Sequence, residues 1–458
     1  MSVMDYGRTL LLLLINHIGY CLFHLARRLW QLICAIALVL LPRLSDRDGD
    51  AHDITDMVAQ VLVIHARYKF DVMLSPCSVT DFIATPERWC PLDYVLRDDV
   101  TLYAISETEA VFVETTVDVH RSSCNAFMRV AQFLHAQRLV RIPLTSVHDL
   151  ALLSLGITDR KSENEGTKEN MQQVLEHAVI DKQLVFIGMT GRCGSTLLLQ
   201  MFEATGRAVT FSEPEVLNTL AQWQNQYSAH QFRALVKSCV ILLCKLKCSD
   251  ADAYVFKMTP PTITIMPALQ QLFPSAKFLF TYRNGLDVAK SSYKVAPQMP
   301  LIQMALLNAK FSARRAQRAF AAMGIPSDQF SIVINNNLAF FYYIWVTCVR
   351  SYRSVRQQHV DVVAVQYEQL QTQPLQCVRH VFRHCQFPCT DMQLNDIVTS
   401  IMSRDSQTAS PISHAITSRN TRVVVTSQDL QVIDDIASKN DLPPHSAPCH
   451  LEGTITLP

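Results

Sequence analysis

Residues 187–202, IGMTGRCGSTLLLQMF, place Gly188, Gly191 and Gly194 within seven positions of a chain that has only 12 glycines in 458 residues. An apolar run, Leu184 to Ile187, leads in, and a helix-compatible run, Leu197 to Phe202, leads out. A strand, a glycine-rich turn and a helix N-terminus together form an anion site. Backbone N–H groups converge on one point, and the helix dipole adds about half a positive charge there. Arg192 adds a fixed guanidinium fork suited to oxyanions, and Ser195 and Thr196 add hydroxyl donors. The spacing departs from the nucleoside-triphosphate loop G-x-x-x-x-G-K-[ST]. Five residues separate Gly188 from Gly194, and Ser195 stands where that motif needs lysine. The chemistry indicated is oxyanion binding without the lysine of an ATPase or kinase.

A second stretch, residues 273–294, FPSAKFLFTYRNGLDVAKSSYK, reads as a strand ending at Tyr282–Arg283, a turn and a helix. Arg283 falls at the carboxyl end of its strand, where open α/β sheets bind ligands. Ser291 lies eight residues on, about two helical turns. Taken alone, Arg283 and Asp287 would be a helix-end ion pair. Together with the glycine loop they suggest two anion sites on one ligand.

Both stretches need a sheet to hold them. Short apolar runs, LVFIG, AVTF, YVFK, KFLFTY and DVVAVQY, recur from residue 184 to 367 with helical stretches between them. This alternation predicts an α/β fold with a P-loop-like parallel sheet flanked by helices. Before it, VTLYAIS and AVFVETTV flank Glu107–Thr108–Glu109 as a hairpin. Asn125 to Gln137 reads as a helix, and Thr55 as the cap of a helix with Met57, Val58, Val61 and Leu62 on one face. The expected domains are an apolar anchor segment at 1–50, a smaller α+β unit at 51–158, a polar linker with a lead-in helix at 159–179, the P-loop-like domain at 180–400 and a C-terminal loop and tail at 401–458.

With GRCGSTLL and FLFTYRNGLDVAKSSYK in order, about 90 residues apart, the sequence resembles the PAPS-dependent sulfotransferases. The glycine loop is similar to the RSGST-type motif of Golgi carbohydrate and tyrosyl-protein sulfotransferases. Gly285 stands where proline is usual, and the likeness continues through Trp345 and VVAVQYEQLQTQP. The resemblance implies sulfuryl transfer from 3′-phosphoadenylyl sulfate (PAPS) to an acceptor hydroxyl of a carbohydrate, lipid or tyrosine, with no metal required. It implies that Gly191, Arg192, Cys193, Gly194, Ser195 and Thr196 hold the 5′-phosphosulfate and that Arg283 and Ser291 hold the 3′-phosphate. The catalytic set would be Glu213, Lys257 and Arg192. Cytosolic members carry a histidine in a KTHLP-like segment. Here VFKMTPP has Lys257 in the lysine's place and Thr259 in the histidine's. Membrane-bound members use a glutamate after the second strand, which in VTFSEPEVL is Glu213, with Glu215 the second carboxylate. The competing reading of that stretch is a capping box of Ser212 and Glu215. By the resemblance SRDSQTASPIS, residues 403–413, stands where relatives carry a late loop that closes over the cofactor, though it lacks their basic sequence; Arg404, Ser406 and Ser410 would contact the phosphate or the acceptor, and a surface loop is the alternative. An atypical P-loop nucleotide kinase and a non-catalytic membrane-associated nucleotide-binding module are the alternatives.

Net charge is +1, from 41 basic and 40 acidic residues, so no nucleic-acid partner is indicated. The 14 cysteines form no CxxC and read as buried thiols or disulfides. Lys310, Arg314, Arg315 and Arg318 form a basic helical face. Residues 10–41 are apolar but broken by Asn16, His17, His24, Arg27 and Arg28. Neither half reaches the roughly 20 apolar residues of a simple span. A signal anchor, an interfacial helix with snorkelling arginines and a core helix pair are the three readings. The resemblance implies a membrane-associated enzyme facing the Golgi lumen. The alternative is the cytosolic face of a membrane.

Overall fold

The computed structural model describes residues 3–40, 58–157, 174–175, 178–245, 251–311, 336–418 and 423–457. The polar stretch at 159–170 and Arg314, Arg315 and Arg318 lie outside these residues. The chain folds as two compact units. One comprises residues 1–118, 129–178 and 234–247; the other comprises 119–128, 179–233 and 248–458.

The first unit opens with helix α1 (Val3–Leu40). Its sheet contains β1 (Val58–Arg67), β2 (Phe82–Pro91), β3 (Val100–Ile105), β4 (Glu109–Thr115) and β5 (Ala136–Pro143), in the order β2-β1-β5-β4-β3. Every pairing is antiparallel, and β3–β4 is the expected hairpin. The helix expected between 125 and 137 is α2 (Met128–His135); α3 (Val147–Ser154) follows β5. The helix expected around Val58 is instead strand β1. Ala59, Val61 and Leu62 are all buried. A strand covered on both faces loses its period of two, so the i, i+3, i+4 spacing there carried no helical information. VLVI, rich in β-branched residues, suits the strand.

In the second unit all five expected runs are strands. They are β6 (Gln183–Met189), β7 (Ala208–Ser212), β8 (Ala253–Lys257), β9 (Lys277–Tyr282) and β10 (Val362–Gln366), in the order β10-β9-β6-β8-β7. Every pair is parallel. A parallel strand needs a crossover, and these are helical: α4 (Ser195–Ala204) after β6, α5 (Glu215–Trp223) and then α6 (Ala229–Leu243), which from Ala234 on belongs to the first unit, after β7, α7 (Met266–Leu272) after β8, and α8 (Gly285–Val295), α9 (Pro300–Phe311) and α10 (Asn337–Gln357) after β9. Then α11 (Tyr367–Thr372), α12 (Pro374–His384) and α13 (Asp391–Met402) follow β10.

Side-chain alternation divides the covering helices between the two faces. Val185, Ile187 and Leu279 pack with Leu198 and Phe202 of α4, Val381 of α12 and Leu394 of α13. On the opposite face Phe280 stacks on Tyr352 of α10, with ring centroids 4.4 Å apart. Phe211, Phe256, Phe186 and Phe278 form a row of stacked rings across four adjacent strands, at 4.4, 4.9 and 5.7 Å. This row fixes the register that brings the carboxyl ends of β6, β7, β8 and β9 level. The tail runs beside β10, where Ala364 N–H donates to the Gly453 carbonyl at 2.9 Å and Ile455 N–H to the Ala364 carbonyl at 3.0 Å, covering the sheet edge.

Candidate active site

The glycine turn between β6 and α4 holds three residues at positive φ: Gly191 at 76°, Arg192 at 52° and Gly194 at 79°. Backbone in this region turns successive N–H groups toward a common centre. At Gly194 the requirement is double. A Cβ there would lie 2.6 Å from the Tyr367 ring, so both the backbone angle and the space exclude a side chain. Gly188, still in the strand, packs against Met266 and Phe280, which a Cβ would meet at 3.0 and 3.3 Å. Of the three glycines, two shape the turn and one fits strand to helix.

Arg192 donates from Nε to the Ser291 hydroxyl at 3.0 Å. The two sequence motifs are therefore in direct contact. Burial and the Arg283 guanidinium both lower the pKa of Arg192. Two guanidinium groups so placed repel each other, and an anion between them relieves that cost. Arg283 lies over the Tyr367 ring, 4.8 Å from its centroid, and 3.9 Å from Asp287. The expected ion pair is thus present but long. The Arg283 carbonyl accepts from Trp345 Nε1 at 3.0 Å, and Asn284 caps α8 by accepting from Leu286 and Asp287 N–H. Strand end, cap and indole together fix where the guanidinium starts.

The carboxylate side of the site is built around Lys257, the last residue of β8 and almost wholly buried. Its Nζ is 3.0 Å from Glu213 Oε1, donates to Thr196 Oγ1 at 2.8 Å and lies 4.5 Å from the centre of the Phe127 ring. Glu213 is buried, has φ of 57°, and its N–H donates to the Lys257 carbonyl at 2.8 Å. A glutamate in the left-handed region is strained by about 1–3 kcal/mol, a feature that clusters at functional sites. The capping box expected for Ser212 and Glu215 does not form. Ser212 is the last residue of β7, and its hydroxyl donates to the Ala126 carbonyl at 2.6 Å; Pro214 occupies the N-cap of α5 without a side-chain bond. Glu215 instead accepts from Asn218 Nδ2 at 2.9 Å. Thr259, at the position of the family histidine, donates its hydroxyl to Asn218 Oδ1 and is buried.

The expected site residues thus divide into groups. Arg192, Arg283 and Ser291 form one, and Thr196, Glu213 and Lys257 another, with Thr196 on the helix that starts in the glycine turn. Ser195 is buried and donates to the Met189 thioether at 2.9 Å. Cys193 Sγ packs 3.1 Å from Thr281 Oγ1, so Cys193 enters the turn through its backbone. The late loop touches α4 through its backbone, where Gln200 Nε2 donates to the Ser406 carbonyl at 3.1 Å. Arg404 is directed to Ser400 at 2.8 Å and Ser410 to the Gln407 carbonyl at 2.7 Å. Asn218 and Phe127 shape the site without a motif to announce them, whereas Trp345 and Tyr367 lie in the stretches through which the resemblance continues. Among the described residues no group of three His, Cys, Asp or Glu side chains is placed to hold a metal, and the cysteines are free.

Residues 181–425 match the sulfotransferase domain family, more than half of the chain. The chain belongs to the sulfotransferase family. It is a sulfotransferase and catalyses sulfuryl transfer. Among solved structures it is similar to a sulfotransferase of Mycobacterium avium, at 11% identity over 66% of this chain and 86% of that one, with a TM-score of 0.35. It is similar also to the sulfotransferase domain of the Synechococcus olefin synthase, at 14% identity over 57% and 96%, TM-score 0.30. A third is retinol dehydratase solved with retinol and PAP, at 12% identity over 50% and 67%, TM-score 0.26. No curated protein matches the sequence.

Proposed function

We propose that this sulfotransferase takes its sulfuryl group from PAPS and delivers it to an acceptor hydroxyl. The observation that carries this reading is the pairing of Arg192 and Arg283, one in the left-handed glycine turn, where it donates to Ser291, and one at the β9 end, close enough for the two charges to act on each other. The cradle fits a phosphosulfate: Gly191 and Gly194 leave space at the turn, and Arg192, Thr196 and Lys257 supply cation and donors. When bound, PAPS supplies an activated sulfuryl group and a bisphosphate leaving group. Arg283 and Ser291 would hold the 3′-phosphate, and Arg192 with the turn N–H groups the 5′ side. Lys257 would place positive charge beside the departing oxygen, where developing charge is best stabilised. Glu213 would accept the acceptor's proton as general base. Glu213 is favoured over Glu215, which is tied to Asn218, and over Thr259, whose hydroxyl is engaged.

Calorimetry on the full chain with adenosine 3′,5′-bisphosphate, beside ATP with Mg²⁺, tests the donor class. Micromolar binding of the bisphosphate, weakened about ten- to a hundredfold in Arg283→Ala, is expected for a charged contact of roughly 1.5–3 kcal/mol. Absence of bisphosphate binding would sink the PAPS assignment, and tight ATP binding would favour a nucleotide kinase. By the resemblance the enzyme would face the Golgi lumen; the alternative is the cytosolic face of a membrane.

A further inference from the structure

Helix α1 is long and apolar enough, by length and composition, to cross a membrane. Its contacts argue for a different placement. Two of the residues that interrupt its apolar run, Asn16 and Arg27, bond the first unit itself. Asn16 Nδ2 donates to the Phe70 carbonyl at 2.7 Å, and the Tyr68 hydroxyl donates to the Asn16 carbonyl at 2.9 Å. Arg27 Nε donates to the Phe82 carbonyl at 3.2 Å, and Trp30 meets His65 edge-on at 5.9 Å. Gly19 lets Tyr68 approach, since a Cβ there would lie 2.9 Å from its hydroxyl. Asn16, Tyr20, Phe23 and Arg27 repeat at three- and four-residue spacing, so one face of the helix is docked.

The opposite face bears Leu11, Ile18, Leu22, Leu25, Leu29 and Leu32, each about half exposed or more. With their neighbours they form an aliphatic stripe from Leu10 to Ile33, about 35 Å long. It covers well over a third of the helix circumference, wider than the a/d seam that a second helix would fill. Arg28 stands exposed at one margin of the stripe, and Tyr20 and Trp30, each partly exposed, lie toward the docked side. Such a distribution, aliphatic centre with basic and aromatic margins, matches the depth profile of a bilayer surface.

Spanning conflicts with the docking. Contacts with the sheet and its β1–β2 loop extend from Asn16 to Trp30, about 21 Å of helix. The stretches of helix on either side, Val3–Ile15 and Gln31–Leu40, are each about 20 Å or less, short of the roughly 30 Å hydrocarbon core. Any crossing would draw the docked sheet into hydrocarbon. There β2 is an edge strand carrying Glu87 and Arg88, and lipid-exposed sheet edges are not tolerated.

We propose that α1 is an in-plane membrane anchor. It lies along one leaflet with its aliphatic stripe in the lipid and its polar face clamped to the first unit, and it leaves both ends of the chain on the same side. The test is flotation of the full chain with sealed vesicles of phosphatidylcholine and phosphatidylserine. The wild type should float, and the triple substitution Ile18→Lys, Leu22→Lys, Leu25→Lys should reduce the floated fraction at least tenfold while bisphosphate affinity and circular dichroism stay unchanged. A second arm uses the wild type alone, translated with microsomes and tagged at both termini. Protease added without detergent should remove both tags. Protection of both would place the same in-plane helix on the inner leaflet. Protection of one tag with loss of the other would show a spanning helix and overturn the proposal. So would failure of the wild type to float, as when a second copy covers the stripe, or undiminished flotation of the triple variant. None of these outcomes bears on the PAPS assignment, which the bisphosphate titration tests separately.

Discussion

Glu213 combines a strained backbone, near-complete burial and an ion pair with Lys257, a costly arrangement for a residue with only a structural task. The two partners separate the roles. Glu213→Gln keeps the shape and removes the proposed base, so kcat should fall about 10²- to 10⁴-fold with little change in bisphosphate affinity. Equal losses in kcat and binding would instead make Glu213 part of the cradle. Lys257→Ala should behave differently. It removes the cation beside a buried carboxylate, a cost of up to about 3–5 kcal/mol, and should lower the thermal midpoint as well as the rate. A thermal melt of both variants separates the two effects. Gln in place of Glu213 should leave the midpoint nearer that of the wild type.

At the scale of elements, the start of α8 explains why this chain departs from its family. A Cβ at Gly285 would lie 2.7 Å from both Trp345 and Tyr342 of α10. The family's proline has no room, because α10 presses its indole against the first turn to reach the Arg283 carbonyl. Gly285→Ala should therefore cost about 1–3 kcal/mol through overpacking, despite alanine's better helix propensity. It should also weaken bisphosphate binding, since moving the indole frees the end of β9. Asn284→Ala removes the two cap bonds and should cost about 1 kcal/mol. A denaturant titration comparing the two variants ranks packing against capping at this corner.

For the whole molecule, acid stability depends on buried histidines. Burial lowers the pKa of His148 in the first unit and, as the largest influence, of His384 in the second. The folded forms favour neutral imidazole, whereas the unfolded chain takes up protons near the ordinary value of 6.5. Stability is therefore full above pH 6.5 and is lost as pH falls through the depressed folded values. The thermal midpoint should drop on acidification from neutrality to about pH 5. His148→Asn, which can still bond Ser238, should flatten that dependence. An unchanged slope would assign acid sensitivity to other groups.

Local sequence determined a good deal of this protein. The glycine turn, the five apolar strands and the Arg283 corner were legible because each is a contiguous stretch whose residue types admit few backbones. A parallel sheet follows from alternating elements, and a positive-φ turn from glycines before a helix. Other features arose only when distant segments met. Lys257 joins Glu213 to Thr196 because β7, β8 and the β6–α4 turn end at one level of the sheet. Ser212 leaves its expected cap for the Ala126 carbonyl, and Thr259 is occupied by Asn218. The run at Val58 is a strand because both its faces are covered, which no periodicity records. The polar residues of α1 looked like defects in an anchor until the sheet supplied their partners. In each case the sequence specifies which groups require a partner, and tertiary packing selects that partner, since burial and hydrogen bonding depend on neighbours the local chain does not contain.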